Sequence, residues 1–429
     1  MRILFLTSNI PSKFGEAVER VNLEIINQLA NKGFKVYVQI IFSEFVSKNK
    51  DEKVIISKKI EDLNNDVDFF PALYTKKNFS KFYSYLRILF PTKKNIYPSF
   101  IHKKKIEELI KKEKIDLIFQ SWDYPGLVAA NEIKNIRKIL YYGQPDHKPN
   151  LVRLADQNIF YQKKKSFFKL RKFLIERYNS KKEKIHVSMV NNFDEVHIIC
   201  KAAHLDYLNA GVRKAQYTQN IWPAENDDIY NPRKNLNCKI VGSVGSNNAT
   251  GNTVNFHYIG NELLKELNKL ENFNYELNFF GKNEPLDTVS KLFNQSNVHF
   301  RGWVKDLDKE LKSSDIFLIC HNSIYKDRYL KCNENKWQLG GCHTRFLYAW
   351  SVGCPVVTHS ANKIYMPEIE HGYNALMGDN PLEISKYIKK LYEDVDLRKE
   401  LVSNGRTTLR KFFIPTVVVD KIFRNINNE

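Results

Sequence analysis

The sequence predicts an α/β protein made of two doubly wound, Rossmann-like domains, and three observations lead to that class. Short apolar runs alternate with amphipathic helical runs along the chain, the pattern of βαβ units and parallel sheets. The alternation occurs twice, on either side of a polar stretch at residues 222–234 that is bracketed by Pro223 and Pro232. The chain has 429 residues, more than one core usually organises, and two domains of about 200 residues each can bury substantial apolar interiors.

In the first half, residues 3–6, 36–41, 117–119, 139–142 and 196–199 are short, apolar and rich in β-branched and aromatic residues, and they are predicted as strands. Residues 18–30 carry apolar side chains at helical spacing and form the first helix. In the second half, strands are predicted at 239–244, 277–280, 298–300, 316–319 and 356–357, with helices at 260–270 and 382–393. The domains are therefore expected at 1–222 and 237–414, with a hinge at 223–236. Two such sheets facing each other leave a cleft at the carboxyl ends of their strands, where ligands of this fold class bind.

The densest unit is residues 340–357, which read Gly340-Gly341-Cys342-His343-Thr344-Arg345-Phe346-Leu347-Tyr348-Ala349-Trp350-Ser351-Val352-Gly353-Cys354-Pro355-Val356-Val357. The glycines let the backbone bend closely round a ligand. Thr344 can cap a helix start, and the amides of a first turn favour a negative group such as a nucleotide diphosphate. Phe346, Leu347, Ala349, Trp350 and Val352 supply the packing side, Gly353 ends the helix and Pro355 opens a strand. An ordinary helix-to-strand turn uses the same residue types.

This unit resembles the donor-site signature of GT-B glycosyltransferases, particularly the glycosyl transferases group 1 set, in which a glycine turn and helix precede an Ala-x-x-x-Gly-x-Pro-Val-Val run. The opening Met1-Arg2-Ile3-Leu4-Phe5-Leu6-Thr7-Ser8, with Pro11, Gly15, Glu19 and Asn31-Lys32-Gly33-Phe34-Lys35-Val36, resembles the family's first strand, glycine loop and first helix. The last segment, 415–429, resembles the one that crosses back onto the first domain. The resemblance departs at the family's two glutamates, separated by seven residues, whose places are taken by Gly340 and Tyr348. The Arg and Lys that many members carry after the first strand of the second domain are also missing, since that loop reads Gly242-Ser243-Val244-Gly245-Ser246-Asn247-Asn248.

The resemblance implies a nucleotide-sugar donor and no metal. Around the diphosphate it places Gly15, Gly341, Thr344 and Arg345, with Arg345 replacing the lost cations and His343 near the leaving group or sugar. A surface arginine paired with a carboxylate is the alternative for Arg345. Gly245-Ser246, Gly281-Lys282-Asn283 and Trp303-Val304 match loops that approach the nucleotide, and Tyr348 stands where the ribose contact is expected. Asp146 and His147 follow a predicted strand where members place a His or Asp touching the transferred sugar; a polar turn is the alternative.

The formal net charge of +19 is concentrated in places. Lys163, Lys164, Lys165, Phe167, Phe168, Arg171 and Lys172 interleave cations with aromatic rings, and residues 76–105 repeat the theme. Basic amphipathic helices of this kind suit an anionic membrane surface, each cation contributing about 1 kcal/mol, and would bring a lipid-linked acceptor to the first domain. A solvated helix face in a Lys-rich chain has the same composition. Nucleic acid uses the same charge with stacked aromatics, as a DNA-modifying glucosyltransferase would.

No apolar run approaches the roughly 20 residues that span a bilayer, and no signal peptide is legible, so a cytoplasmic, membrane-peripheral protein is expected. The six cysteines have no Cys-x-x-Cys pair and read as reduced, buried thiols. Asp66-Val67-Asp68 and Asp394-Val395-Asp396 mimic an Asp-x-Asp metal site, but the first is predicted in a polar loop and the second on a helix. Gly242 and Gly245 lack the remainder of a dinucleotide or P-loop fingerprint. The function expected is glycosyl transfer from a nucleotide sugar to a surface glycan or lipid-linked acceptor. The missing glutamates leave open a non-catalytic glycan- or nucleotide-sugar-binding relative.

Overall fold

The computed structural model describes residues 1–13, 17–43, 66–76, 90–143, 165–223, 237–247, 250–321 and 343–424. The chain divides into two compact units, one comprising 1–151, 163–222 and 415–429 and the other 152–162 and 223–414. Beyond Pro223, the stretch expected to be the hinge lies outside the described residues.

The first unit is built on strands β1 (Arg2–Thr7), β2 (Lys35–Ser43), β3 (Val67–Phe69), β4 (Leu73–Lys76), β5 (Ser99–Phe100), β6 (Leu117–Ser121), β7 (Arg137–Tyr142), β8 (Glu195–Ile198) and β9 (Ala215–Tyr217). Their order is β5-β4-β2-β1-β6-β7-β8-β9, with β3 also beside β2, and only β4 and β5 run antiparallel. Strands β1 and β6 are nearly continuous apolar runs because helices cover both faces of a parallel sheet. Helix α1 (Ala17–Asn31) buries Val21, Ile25, Ile26 and Leu29 at helical spacing, and Gly33, at φ +80°, turns the chain into β2. After a single helical turn at Lys93–Ile96, longer helices follow: α2 (Lys103–Glu113), α3 (Tyr124–Glu132), α4 (Lys165–Val190) and α5 (Lys201–Asn209).

The C-terminal helix, Pro415–Phe423, belongs to this unit. It buries Val418, Val419, Ile422 and Phe423 in the same core as β1 and α1, with the Phe423 ring 6.0 Å from that of Phe119. It starts at Pro415, a favoured first helical residue.

The second unit holds β10 (Cys238–Val244), β11 (Tyr275–Phe280), β12 (Val298–Gly302), β13 (Ile316–Ile319), β14 (Val356–His359) and β15 (Leu376–Gly378). All are parallel, in the order β12-β11-β10-β13-β14-β15. The helix expected at 260–270 starts ten residues earlier: α6 (Thr250–Tyr258) runs into a π turn at Ile259–Leu263 and one more α turn at Leu264–Leu267. Its first turns carry polar residues that face a buried polar network, which hides their helical period. At the π turn Gly260 lies against Leu292, whose Cβ would be 2.7 Å from an added Cβ. A single helical turn at Asp287–Ser290 and helices α7 (Leu307–Lys312), α8 (His343–Val352), α9 (Pro381–Glu393) and α10 (Val395–Phe412) follow in the unit.

Two sequence expectations are corrected. Val67–Phe69 is a strand paired in parallel with β2, not a polar loop, and Asp68 forms an ion pair with Lys35 at 3.1 Å. Asp394 precedes its helix and caps α10 by accepting from the Leu397 amide at 2.9 Å. Among the described residues no group of three acidic, His or Cys side chains could hold a metal, and no helix is long and apolar enough to cross a membrane. Cys200, Cys238, Cys320 and Cys354 are buried free thiols; Cys332 and Cys342 lie outside the described residues.

Arg398 of α10 and Asp315, the residue before β13, form an ion pair with side chains 1% and 3% exposed, and Asp315 also accepts from the Lys239 amide. Removing one partner would strand a buried charge. Arg398→Ala is expected to cost about 3–5 kcal/mol, measured by denaturant unfolding.

Candidate functional site

In the second unit the chain winds outward from β10 through β11 to β12, then returns to the other side of β10 with β13. The strand order therefore reverses between β10 and β13, and open α/β sheets bind ligands at the carboxyl end of that junction. The β10–β13 ladder pairs Ile240 with Ile316 and Val241 with Phe317. Past it Asn255 of α6 stands between the strands: Nδ2 donates to the Gly242 carbonyl at 2.8 Å, and Oδ1 accepts from the Cys320 amide at 3.0 Å. The two strands part there with those backbone groups satisfied by one side chain.

One helical turn earlier, Asn252 is fully buried. Its Oδ1 accepts from Ser243 Oγ at 2.9 Å and from Arg345 Nη2 at 2.8 Å, and lies 3.1 Å from His321 Nε2. Its Nδ2 donates to the Ser246 carbonyl at 2.8 Å. Donors on one side and a carbonyl on the other set the amide's orientation. Arg345, half-buried in the first turn of α8, also donates to the Val244 carbonyl at 3.4 Å. His321 is 5% exposed; burial and the adjacent Arg345 guanidinium hold its ring well below the usual imidazole range, so it is neutral. With Nε2 donating, the buried Nδ1 has no hydrogen-bond partner.

The loops that follow β10, β11 and β12 are tied into one rim. The Gly245 amide donates to the Phe280 carbonyl at 2.9 Å, the Asn247 amide to Lys282 at 2.9 Å, and the Gly281 amide to Gly302 at 2.8 Å. Asn247 Nδ2 donates to the Asn283 carbonyl at 3.0 Å, and Asn283 Nδ2 to Ser246 Oγ at 2.9 Å. Gly281 approaches the Gly245 carbonyl so closely that an added Cβ would lie 1.5 Å from its oxygen. Gly245 itself has φ +106°.

Helix α8 has the expected construction. Phe346, Leu347, Ala349, Trp350 and Val352 are buried. Gly353, at φ +77°, closes it: its amide donates to Trp350 at 3.3 Å and the Cys354 amide to Ala349 at 2.8 Å, the paired bonds of a Schellman end. Behind it, Gly405 of α10 abuts Trp350, whose Nε1 donates to the Asn374 carbonyl at 3.0 Å.

Of the residues singled out from sequence, Gly245, Ser246, Gly281, Asn283 and Arg345 are brought together at this junction and its rim. Lys282 is exposed beside them, and Trp303, 67% exposed, with Val304 follows β12. Tyr348, in the place of the second glutamate, is buried on α8, where its hydroxyl donates to Asp308 of α7. Thr344 is half-buried in the first turn of α8, and His343 begins that helix. Lys165, Phe167, Phe168, Arg171 and Lys172 fall in α4. Gly15, Asp146, His147, Lys163, Lys164 and Gly341 lie outside the described residues. Sequence reasoning missed Asn252, Asn255 and His321. A pair of asparagines at i and i+3 on the helix after a glycine loop was the available signal for the first two.

These features define the GT-B class of two-unit α/β proteins, and solved structures of that fold match the whole chain. Anabaena HepE in complex with UDP and glucose aligns over 100% of both chains with TM-score 0.60 and 14% identity. A mutant of S. aureus TarM, bound to fondaparinux, α-GlcNAc-glycerol and UDP, aligns over 100% of both with TM-score 0.59 and 13% identity. The lipopolysaccharide outer core galactosyltransferase WaaB aligns over 100% of this chain and 99% of its own, with TM-score 0.54 and 13% identity. Residues 238–394, within the second unit, match the family described as glycosyl transferases group 1. No curated protein sequence matches the chain.

Two tests follow from this geometry. Gly281→Ala is expected to lower stability by roughly 1–3 kcal/mol or more in denaturant unfolding, since the rim must move apart to admit a methyl group. A neutral His321 has a lower pKa folded than unfolded, so the unfolded chain binds the extra proton. Its stabilising contribution is whole above a pH of about 6.5 and is lost as pH falls below it. The melting temperature is expected to drop below that pH, and less steeply in His321→Gln.

Proposed function

We propose that the chain transfers a sugar from a nucleotide-sugar donor to a glycan or lipid-linked acceptor in surface polysaccharide or lipopolysaccharide synthesis, with the donor diphosphate at the β10–β13 junction. The observation that carries this reading is the Arg345 guanidinium, hydrogen-bonded to Asn252 and to the Val244 carbonyl at the start of the glycine loop. It puts a permanent cation where the sheet order reverses. The complexes of HepE and TarM with UDP, and the name of the lipopolysaccharide galactosyltransferase WaaB, support the donor class and the surface-glycan setting.

In the transfer, the bond between the anomeric carbon and the diphosphate oxygen breaks as the acceptor oxygen bonds that carbon, and the acceptor proton leaves to a base. Negative charge grows on the departing diphosphate. A preorganised cation and backbone amides lower that barrier without reorganising, and one such donor is worth about 10²–10³ in rate. The reading makes Arg345 the charge partner and needs no metal.

For the acceptor side, helix α4 favours an anionic membrane surface. Leu170 and Phe173 are 57% and 61% exposed, and exposed Arg177, Lys181 and Lys184 continue at helical spacing along the same helix.

Arg345→Ala is expected to lower turnover at least about tenfold while leaving the melting temperature near that of the parent, in an assay of nucleotide release. Unchanged kinetics would remove Arg345 from the site, and a parent chain that releases no nucleotide from any sugar donor would favour a binding protein. EDTA is expected to leave turnover unchanged; loss restored by Mg²⁺ or Mn²⁺ would contradict the metal-free reading. Cosedimentation with phosphatidylglycerol vesicles but not phosphatidylcholine vesicles, reduced in a Leu170→Glu/Phe173→Glu variant, is the outcome expected of α4. Steeply salt-dependent binding to DNA duplexes instead would point to nucleic acid.

A further inference from the structure

Resting on the membrane reading of α4, we infer that only the first turns of this helix enter an anionic bilayer surface, as the tip of an arm that projects past the ligand edge of the first sheet. The rest of the helix is its root and is fixed by packing. Tyr178, Asn179, His186, Met189 and Val190 are buried. His186 Nε2 lies 2.7 Å from the Tyr207 hydroxyl and Nδ1 3.4 Å from the Tyr97 hydroxyl. The His186 ring is 5.5 Å from that of Tyr142, the last residue of β7. Lys182 Nζ stands 5.7 Å from the Tyr97 ring, and Asn131 Nδ2 of α3 donates to the Met189 carbonyl at 3.2 Å. Residues 191–194 join the helix to β8, whose Glu195 pairs with Ile139 in the first half of β7. Helix α4 therefore runs antiparallel to the strands, and its earlier turns lie past their carboxyl ends. With His186 level with Tyr142, Phe173 stands about 20 Å farther along the helix axis.

Leu170, Phe173, Arg177, Lys181, Lys184 and Ser188 are exposed, and at about 100° per residue they fall within about 80° of one another on the helix. This stripe changes character along its length. Leu170 and Phe173 are the only exposed large apolar side chains among the described residues of α4. The three cations follow toward the root, and Glu176 and Glu183 fall off the stripe. A helix lying flat in a bilayer surface needs an apolar face along its length, but Tyr178, Met189 and Val190 are already buried in the first unit. An apolar tip with cations behind it suits a steeper entry, with Leu170 and Phe173 at the acyl boundary and Arg177, Lys181 and Lys184 among the phosphates. The edge past which α4 projects is the one where ligands of this fold class bind, so the arm turns the first unit's ligand edge toward the lipid.

The test uses the full-length chain and phosphatidylglycerol vesicles whose acyl chains carry bromine, a short-range quencher of tryptophan fluorescence. Phe173→Trp and Ser188→Trp, both at exposed positions, place reporters roughly 22 Å apart on the stripe, and the parent supplies the background of the native tryptophans. Expected is quenching of Phe173→Trp at least about twofold above the parent's, with Ser188→Trp at the parent's level. Arg177→Gln/Lys181→Gln/Lys184→Gln is expected to partition into the vesicles at least about tenfold more weakly. Both reporters quenched alike, or neither, in a chain that cosediments with the vesicles would overturn the inference and leave the membrane reading standing; so would undiminished partitioning of the triple variant. A parent that does not cosediment would overturn both.

Discussion

Two parallel strands that part at their carboxyl ends leave backbone amides and carbonyls without their ladder partners, and everything at the site of this protein depends on how that debt is met. Asn255 fills the gap between β10 and β13 with one donor and one acceptor, so the strands diverge without stranding the Gly242 carbonyl or the Cys320 amide. A buried backbone group left alone there would cost about 1–3 kcal/mol. With the strands held apart, Asn252 one turn away reaches Ser243, Ser246, His321 and Arg345 together. The arginine's position is thus a consequence of the sheet's topology.

The rim obeys the same logic. Continuing the β10–β11–β12 ladders beyond the strands through Gly245, Asn247 and Gly281 ties three loops by backbone bonds, and the contact between Gly281 and Gly245 excludes any side chain at Gly281. Loops fixed this way have little conformational entropy to lose on meeting a ligand. On the far side, the Schellman end of α8 and the packing of Gly405 on Trp350 hold the helix that carries Arg345. The buried Asp315–Arg398 pair anchors the start of β13 to α10, below the same junction.

Much of this was legible in the sequence, and the reasons differ by residue. Apolar runs in both halves marked the central strands because a parallel sheet covered on both faces admits almost nothing else. Gly353 and the stripe from Phe346 to Val352 marked α8, and Arg345 stood out as a cation beside a glycine turn. The start of α6 was missed because Asn252 and Asn255 are buried for their hydrogen bonds, and a polar residue facing inward reads as a surface position. His321 was missed for a related reason: its role comes from the strand order, which places the end of β13 beside β10 across some eighty residues of sequence, and no local pattern encodes that. Asp68 misled in the opposite direction, since a three-residue strand beside β2 is decided by the neighbour it pairs with.

The two glutamates absent from the α8 signature leave this site with Tyr348, hydrogen-bonded to Asp308, at one of their places. On the proposed reading, Arg345, which donates to the Asn252 amide oxygen, is the charge partner of the donor diphosphate. A crystal structure of the full chain with the nucleoside diphosphate that it binds most tightly tests this most directly. The phosphates should lie within hydrogen-bonding distance of Arg345 and of the backbone amides in residues 245–247. Phosphates bound elsewhere, with Arg345 turned away from them onto a carboxylate, would contradict the central claim.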